Sequence, residues 1–345
     1  MGLVQFRSFI FSDTTLKPKI LQGACSLIEL DRKGDNTLID PALLRRAISF
    51  FHDLGTYTTD FEPCMLAASE MYLKSWADHE AGVSNLATYV DRSHRLIEHE
   101  MDRCVLFALD RSTRQSLSEM LVRSLVADKT SVLLDERDDL ALLRANNQIA
   151  LEQLYSLLER NDLGSKLKSS FCIYIIEEGS SIVFDQEREA DMVVRLLEFK
   201  QNLDNIWKKS FHKNETLGHS LRESFETFIN KAKRSEANWG TDNPKPGEMI
   251  AKHVDMLLKG GVKAIHGRDF QPKGGGAALA DEDAEINKQL DQVLDLFRFV
   301  HGKAVFEAFY KNDLARRLLM GRSASDDAEK SMLAKLKTGE NCDKF

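Results

Sequence analysis

Proline is nearly missing from the middle of this 345-residue chain. There are six prolines in all, and about 180 residues pass between Pro63 and Pro244 without one, so the strongest breaker of helical hydrogen bonding is absent from half of the sequence. β-Branched runs are short and rare over the same span, and the expectation is an all-α fold. Long apolar runs are missing too. No uncharged stretch of about 18 residues marks a membrane helix, and no charged-then-apolar leader opens the chain. The five cysteines, Cys25, Cys64, Cys104, Cys172 and Cys342, are dispersed without a CxxC pair. That spacing suggests neither a zinc framework nor a disulfide scaffold, and reduced structural thiols in a cytosolic or nuclear protein are expected. A basic excess is also lacking: the formal net charge is −7, which argues against a dedicated nucleic-acid surface.

What is present is an ordinary globular composition, 43% hydrophobic and 29% charged, enough for sizeable cores. At about 100–200 residues per domain the length implies two or three domains. The apolar spacing of Leu3, Phe6 and Ile10 makes Met1 to Phe11 helical. Pro18 belongs in the first turn of a helix striped by Ile20, Ala24, Leu27 and Ile28. Asp40-Pro41 is an N-cap followed by proline at the first helical position, and Gly55 closes that helix. Two further helices carry Met65, Ala68, Met71, Tyr72 and Trp76, and then Leu86, Tyr89, Val90, Ile97, Met101 and Val105. Five helices in about 108 residues form one bundle.

A second series of similar size begins near Ser112, with stripes at Leu117, Met120, Leu121 and Leu125 and at Ile149, Leu151, Leu154, Leu157 and Leu158. Phe171, Ile173, Ile175 and Ile176 are strand-like in composition, but flanking helical periodicity and the lack of a partner strand favour helix. Gly179-Ser180-Ser181 reads as a turn. Two bundles of matched size without readable repetition suggest a helical repeat array. The polar segment Lys231 to Gly247 reads as a linker. A helix through Met249, Val254 and Leu258 ends at Gly260-Gly261, and Val262 to Asp281 reads as a loop. Ile286, Leu290, Val293, Phe297 and Val300 then step 4-3-4-3 as a packing seam. From Phe306 through Phe309, Tyr310 and Leu314 to Leu318 the stripe continues. Ser323, three residues before Asp326, has capping-box spacing.

Candidate chemistry is thin. Lys273-Gly274-Gly275-Gly276 lacks the strand, helix and Lys-Ser/Thr pair of a phosphate loop. His79-Glu80 and His99-Glu100 begin like zinc-protease motifs, but Val83 and Arg103 stand where the second histidine belongs. The nine histidines otherwise read as surface or satisfied residues, and His301-Gly302-Lys303 as a corner between packed helices. Ser112, Ser180 and Ser323 are placed at turns with no base at motif spacing. Lys311, Arg316, Arg317 and Arg322 make a basic cluster, read as a solvated face or, more sharply, as a contact for an acidic partner. No catalytic, cofactor-binding or metal-ligating residue is assigned.

Two stretches carry a family signal. HGKAVFEAFYKNDLARRLL followed by GRSASDDAEKSMLAKLK resembles the start of the C-terminal domain of cullins, most like the type 4 subclass, and LRESFETFINK and GEMIAKHVDMLLKGG resemble the same subclass around the preceding junction. The resemblance implies an elongated array of five-helix cullin-type repeats followed by the start of a helical-bundle C-terminal domain. Its expected parts are a repeat over 1–108 like the second cullin repeat, one over 109–235 like the third, a linker over 236–247 and a partial C-terminal domain over 248–345. It implies a truncated, non-catalytic scaffold of a cullin-RING ubiquitin ligase that needs no cofactor. Such a scaffold holds a substrate receptor and a ubiquitin-loading module apart in ubiquitin-dependent degradation, in nucleus and cytoplasm. The implied partners are a RING-box protein and an adaptor, with most of the regions that bind them expected to be missing, and with neither nucleic acid nor membrane. Ala304 stands where the family pattern has aspartate. The competing reading is a helical tethering or adaptor protein unrelated to ubiquitin.

Overall fold

The computed structural model describes residues 5, 7–11, 13–34, 40–233, 239–240, 242–260 and 278–338. Among them lie fourteen α-helices of two turns or more, and the only extended ladder pairs two residues with two, Ala232–Lys233 with Trp239–Gly240. The all-α expectation holds. Contacts divide the chain into two compact units, Met1–Leu167 and Lys168–Phe345.

The first unit holds α1 (Leu16–Arg32), α2 (Pro41–Asp53), α3 (Glu62–Val83), α4 (Leu86–Leu106), α5 (Arg111–Leu125), α6 (Glu136–Arg144) and α7 (Gln148–Glu159). Before α1 the described chain makes a single wide turn over Arg7–Phe11; Leu3 and Phe6 of the expected stripe lie outside the described residues. Asp40 caps α2 as its sequence requires, accepting from the Ala42 and Leu43 N–H groups at 2.9 and 3.2 Å with Pro41 behind it. Gly55 follows the helix with a positive φ of 62°. Phe51 stacks on Phe61 with ring centroids 4.9 Å apart, and Phe11 meets Phe51 edge-on, which adds aromatic geometry to simple area burial. Met71, Val105 and Ile149, grouped with the apolar stripes by their spacing, face solvent instead.

In α3 and α4, the glutamates of the two zinc-protease near-motifs prove structural. Glu80 takes the Arg92 guanidinium at 2.7 Å and the Ser84 hydroxyl at 2.8 Å. Glu100 is buried and accepts from Arg32 at 2.9 Å through both oxygens, and from Arg103 at 2.6 Å. Arg32 also donates to the Ser69 hydroxyl at 2.8 Å, and Arg103 reaches Asp31. One carboxylate therefore ties α1 and α4 together, and the same guanidinium reaches α3.

The second unit holds α8 (Lys168–Val183), α9 (Met192–Asn205), α10 (Glu215–Ile229), α11 (Pro244–Gly260), α12 (Ala278–Phe297), α13 (Lys303–Met320) and α14 (Asp326–Thr338). The Phe171–Ile176 stretch is helical, as favoured. Gly179-Ser180-Ser181 is no turn but lies within α8. A Cβ at Gly179 would come within 2.4–2.5 Å of three Phe228 ring atoms, so the glycine is there to let α10 approach α8 and its local turn-like composition misleads. Ser112 likewise sits in the first turn of α5 and not in a loop. Pro244 to Gly247, read as linker, form the first turn of α11, where missing proline N–H groups cost nothing. Helix α12 begins at Ala278, inside the segment read as a loop. Lys273 to Gly276 and Cys342 lie outside the described residues. The 4-3-4-3 seam from Ile286 to Val300 is buried throughout.

Candidate functional site

A dense constellation of polar chemistry among the described residues of the second unit is built on α11, α13 and α14. Helix α13 buries Phe306 and Tyr310 on one face, with Phe306 against Phe297 at 4.4 Å and stacked on Tyr310 at 5.6 Å. Two turns beyond Tyr310 the same face brings in Arg317, whose exposure is 0%. Its Nε and Nη2 donate to the two oxygens of Glu329 on α14 at 2.7 and 3.0 Å, and its Nη1 donates to Asp255 on α11 at 2.5 Å. Burial works to lower the basicity of the guanidinium, but the bonds and charges of Glu329 and Asp255 outweigh it and raise it. Lys259 adds a bond to the far oxygen of Asp255 at 2.5 Å, and the Ser323 hydroxyl donates to Glu329 at 2.9 Å. Tyr310 beside the clamp is pushed up to about 12, by burial first and by the Glu329 charge second.

Arg317 is thus no part of a surface basic cluster, which corrects that reading: with two carboxylates around it, the side chain is a bridge between three helices. The other three basic residues, Lys311, Arg316 and Arg322, are exposed. The corner after α13 depends on Gly321, at φ 61° in the left-handed region. It lets the Arg322 N–H return to the Arg317 carbonyl at 3.0 Å, and the Ala324 N–H then reaches the Leu258 carbonyl of α11 at 2.8 Å. Ser325, and not Ser323, stands at the cap of α14, its hydroxyl accepting from the Ala328 N–H at 3.3 Å. Ser323 stands two residues too early and serves Glu329 instead.

The outer side of α13 is unexpectedly apolar. Leu319 is 87% exposed, Leu318 57% and Met320 60%, and Phe309 is exposed as well. A four-residue step carried Leu318 into the expected core stripe, yet the helix turns it outward because Arg317 takes the inward position. Three consecutive large apolar side chains at a helix end, flanked by Arg316 and Arg322, form a ledge that water alone solvates poorly.

At the opposite corner of α13 the sequence expectation holds. The His301 N–H donates to Asn230 Oδ1 at 2.7 Å, Asn230 donates to the Phe299 carbonyl at 2.7 Å, and the His301 ring meets Glu226 at 2.7 Å. His253 departs from the expectation that every histidine is exposed or satisfied. It is 2% exposed and both ring nitrogens lack a hydrogen-bond partner. It lies against a polar groove of about 450 Å³ that Gln201, Lys208, Gln289, Gln292 and Asp295 also line. Burial pushes its pKa down to about 4, so the imidazole is neutral at neutral pH. Nothing in the sequence distinguishes it, because it occupies a position on α11 that spacing assigns to the core.

Among the described residues no cluster of three or more His, Cys, Asp or Glu side chains could hold a metal ion, and no helix is long and apolar enough to cross a membrane. Fold and site together define a helical-bundle protein whose distinctive residues bind helices to one another. The family model for the cullin alpha solenoid domain matches residues 1–344, and the chain belongs to the cullin family. Cullin-4A of Homo sapiens is 37% identical over 98% of this chain and 41% of its own length. Cullin-4 of Dictyostelium discoideum is 32% identical over 98% of the chain and 38% of its own length, and Cullin-3 of the same organism is 29% identical over 98% and 42%. The chain therefore spans about two fifths of the length of these relatives.

Proposed function

We propose that this chain supplies scaffold structure to a cullin-RING E3 ubiquitin ligase, holding a substrate receptor and a ubiquitin-loading module at a set separation. The observation that carries this reading is the cullin match along essentially the whole chain, with type 4 cullins among the relatives. Its contribution is positional: a stiff spacer raises the effective concentration of a substrate lysine near the charged carrier, and no residue of the scaffold need touch the reacting atoms. The proposed organisation is a repeat over 1–108, a second over 109–235, a junction over 236–247 and the opening of a C-terminal bundle from 248 onward. The proposed partners are a RING-box subunit and an adaptor carrying the receptor, in nucleus and cytoplasm. Support from the molecule itself comes from the ionic bridging of three helices at Arg317 and the apolar ledge beside it, features suited to assembly.

The test is affinity capture of the tagged full chain from cells, followed by identification of bound proteins and a ubiquitin-transfer assay on the captured material. A RING-box protein or an adaptor at near-stoichiometric yield is expected. Capture of helical partners with neither of these, and with no ubiquitin transfer, would support a tethering protein outside the ubiquitin system and remove the proposal.

A further inference from the structure

We propose that Cys25 and Cys64 are a disulfide-forming modification site, closed by a hydroperoxide and reopened by a thiol reductant, that joins α1 covalently to α3. The sequence gives no hint of it, because the two cysteines are 39 residues apart and fit no spacing motif. The fold brings their sulfur atoms to 3.6 Å, with the Cys25 thiol directed at Cys64. A disulfide is shorter than this by only about 1.5 Å, a gap that rotation about the two χ1 bonds and a slight approach of the helices would close. The other described cysteines, Cys104 and Cys172, have no second thiol at this distance among the described residues.

The environment divides the chemistry between the two sulfurs. Cys25 is buried in the apolar cluster that contains Leu21, Ile28 and Phe61, whereas Cys64 is half-buried at its edge. A peroxide arriving from solvent therefore meets Cys64 first. The Cys64 thiolate attacks one peroxide oxygen; an S–O bond forms, the O–O bond breaks, and the leaving oxygen takes a proton as water or alcohol. Cys64 is oxidised by two electrons and the peroxide is reduced. Cys25 then attacks the Cys64 sulfur: the S–S bond forms, the S–O bond breaks, and the departing hydroxide takes the Cys25 proton as water. Burial, with the Cys64 contact second, pushes the Cys25 thiol up to about 12. It is thus a poor first nucleophile, and enforced contact substitutes for acidity in the second step. The two helices are already held together beside the pair, since Arg32 of α1 donates to Ser69 of α3 at 2.8 Å, so only a small local adjustment separates the thiols from the link.

The experiment treats the native full chain with hydrogen peroxide, quenches with N-ethylmaleimide in denaturant, and digests without reduction for mass spectrometry. The expected product is the Cys25 peptide linked to the Cys64 peptide, two hydrogens lighter than the pair, with two thiols lost and dithiothreitol restoring both. Exposed Met71 reports that oxidant has acted. Met71 sulfoxide with Cys25 and Cys64 both still alkylatable would overturn the proposal, as would Cys64 ending as sulfinic acid beside a free Cys25. Cys25→Ser should leave Cys64 as a sulfenic acid trapped by a dimedone-type probe, and Cys64→Ser should leave Cys25 reduced. If either variant fails to fold, the wild-type digest alone decides.

Discussion

Among the described residues each unit contains a buried arginine–glutamate pair bonded through both carboxylate oxygens, and the residue shared at the centre is of opposite charge in the two. In the first unit a single acid, Glu100, is shared by Arg32 and Arg103. In the second a single base, Arg317, is shared by Glu329 and Asp255. Both draw three helices together, but they differ in which residue cannot be replaced. A buried charge costs most when its partner is removed and it is left uncompensated, so the shared residue is the vulnerable one: the acid in the first unit, the base in the second.

The strongest way to break this comparison is to delete the arginines. Arg317→Met is expected to destabilise the second unit by about 3–5 kcal/mol, because Glu329 would keep only the Ser323 hydroxyl. Arg32→Met should cost less, about 1–3 kcal/mol, because Glu100 keeps Arg103. For the acids the order inverts, with Glu100→Gln costing more than Glu329→Gln. Denaturant unfolding, with hydrogen exchange assigning the loss to a unit, reads all four; equal costs for both arginines would end the argument from the shared residue.

Acid should separate the units next. The unfolded His253 imidazole gains its proton below about 6.5, but the folded one resists until about 4. The unfolded state therefore binds more protons in that window, and stability is lost as pH falls through it, by about 3 kcal/mol at most. Above pH 6.5 the term is constant. Exchange protection in the second unit should weaken over this range, and His253→Phe should flatten the dependence; an unchanged profile in that variant would assign it elsewhere. Gly179→Ala tests packing without charge. The added methyl group has no room beside Phe228, and about 1–3 kcal/mol should be lost, read as a lower denaturation midpoint. The smallest effect on stability belongs to the ledge. Leu319→Ser should change it by less than about 0.5 kcal/mol and yet reduce capture of partner proteins; unchanged capture would make the ledge a bare surface.

Local features were legible in the sequence and long-range ones were not. The Asp40-Pro41 cap and the Ile286–Val300 seam are each written in residues a few positions apart, and each stands where spacing put it; the His301 corner was legible as a corner, but Asn230 and Glu226, which hold it, lie 71 and 75 residues away. Arg317 could not be placed that way, since its partners lie 12 and 62 residues away and nothing in LARRLL says which arginine turns inward. Gly179-Ser180-Ser181 has turn composition, but the space it provides is set by Phe228, 49 residues on. Leu318 followed the periodicity into the core because periodicity does not register that the core position was taken by a charge. His253 shows the same limit from the other side: an imidazole at an apolar spacing gives no sign that both nitrogens will lack partners.

The Gly321 corner has a consequence for angular spread. A glycine in the left-handed region, between two helices, would ordinarily allow α14 to swing against α13. Here Arg317 spans the corner twice, with its carbonyl holding the Arg322 N–H and its guanidinium holding Glu329 four residues into α14. The joint is bent by glycine and then fixed by arginine, so its direction carries little conformational entropy. Anything mounted beyond α14 would sample a narrow cone, and a narrow cone concentrates what it carries.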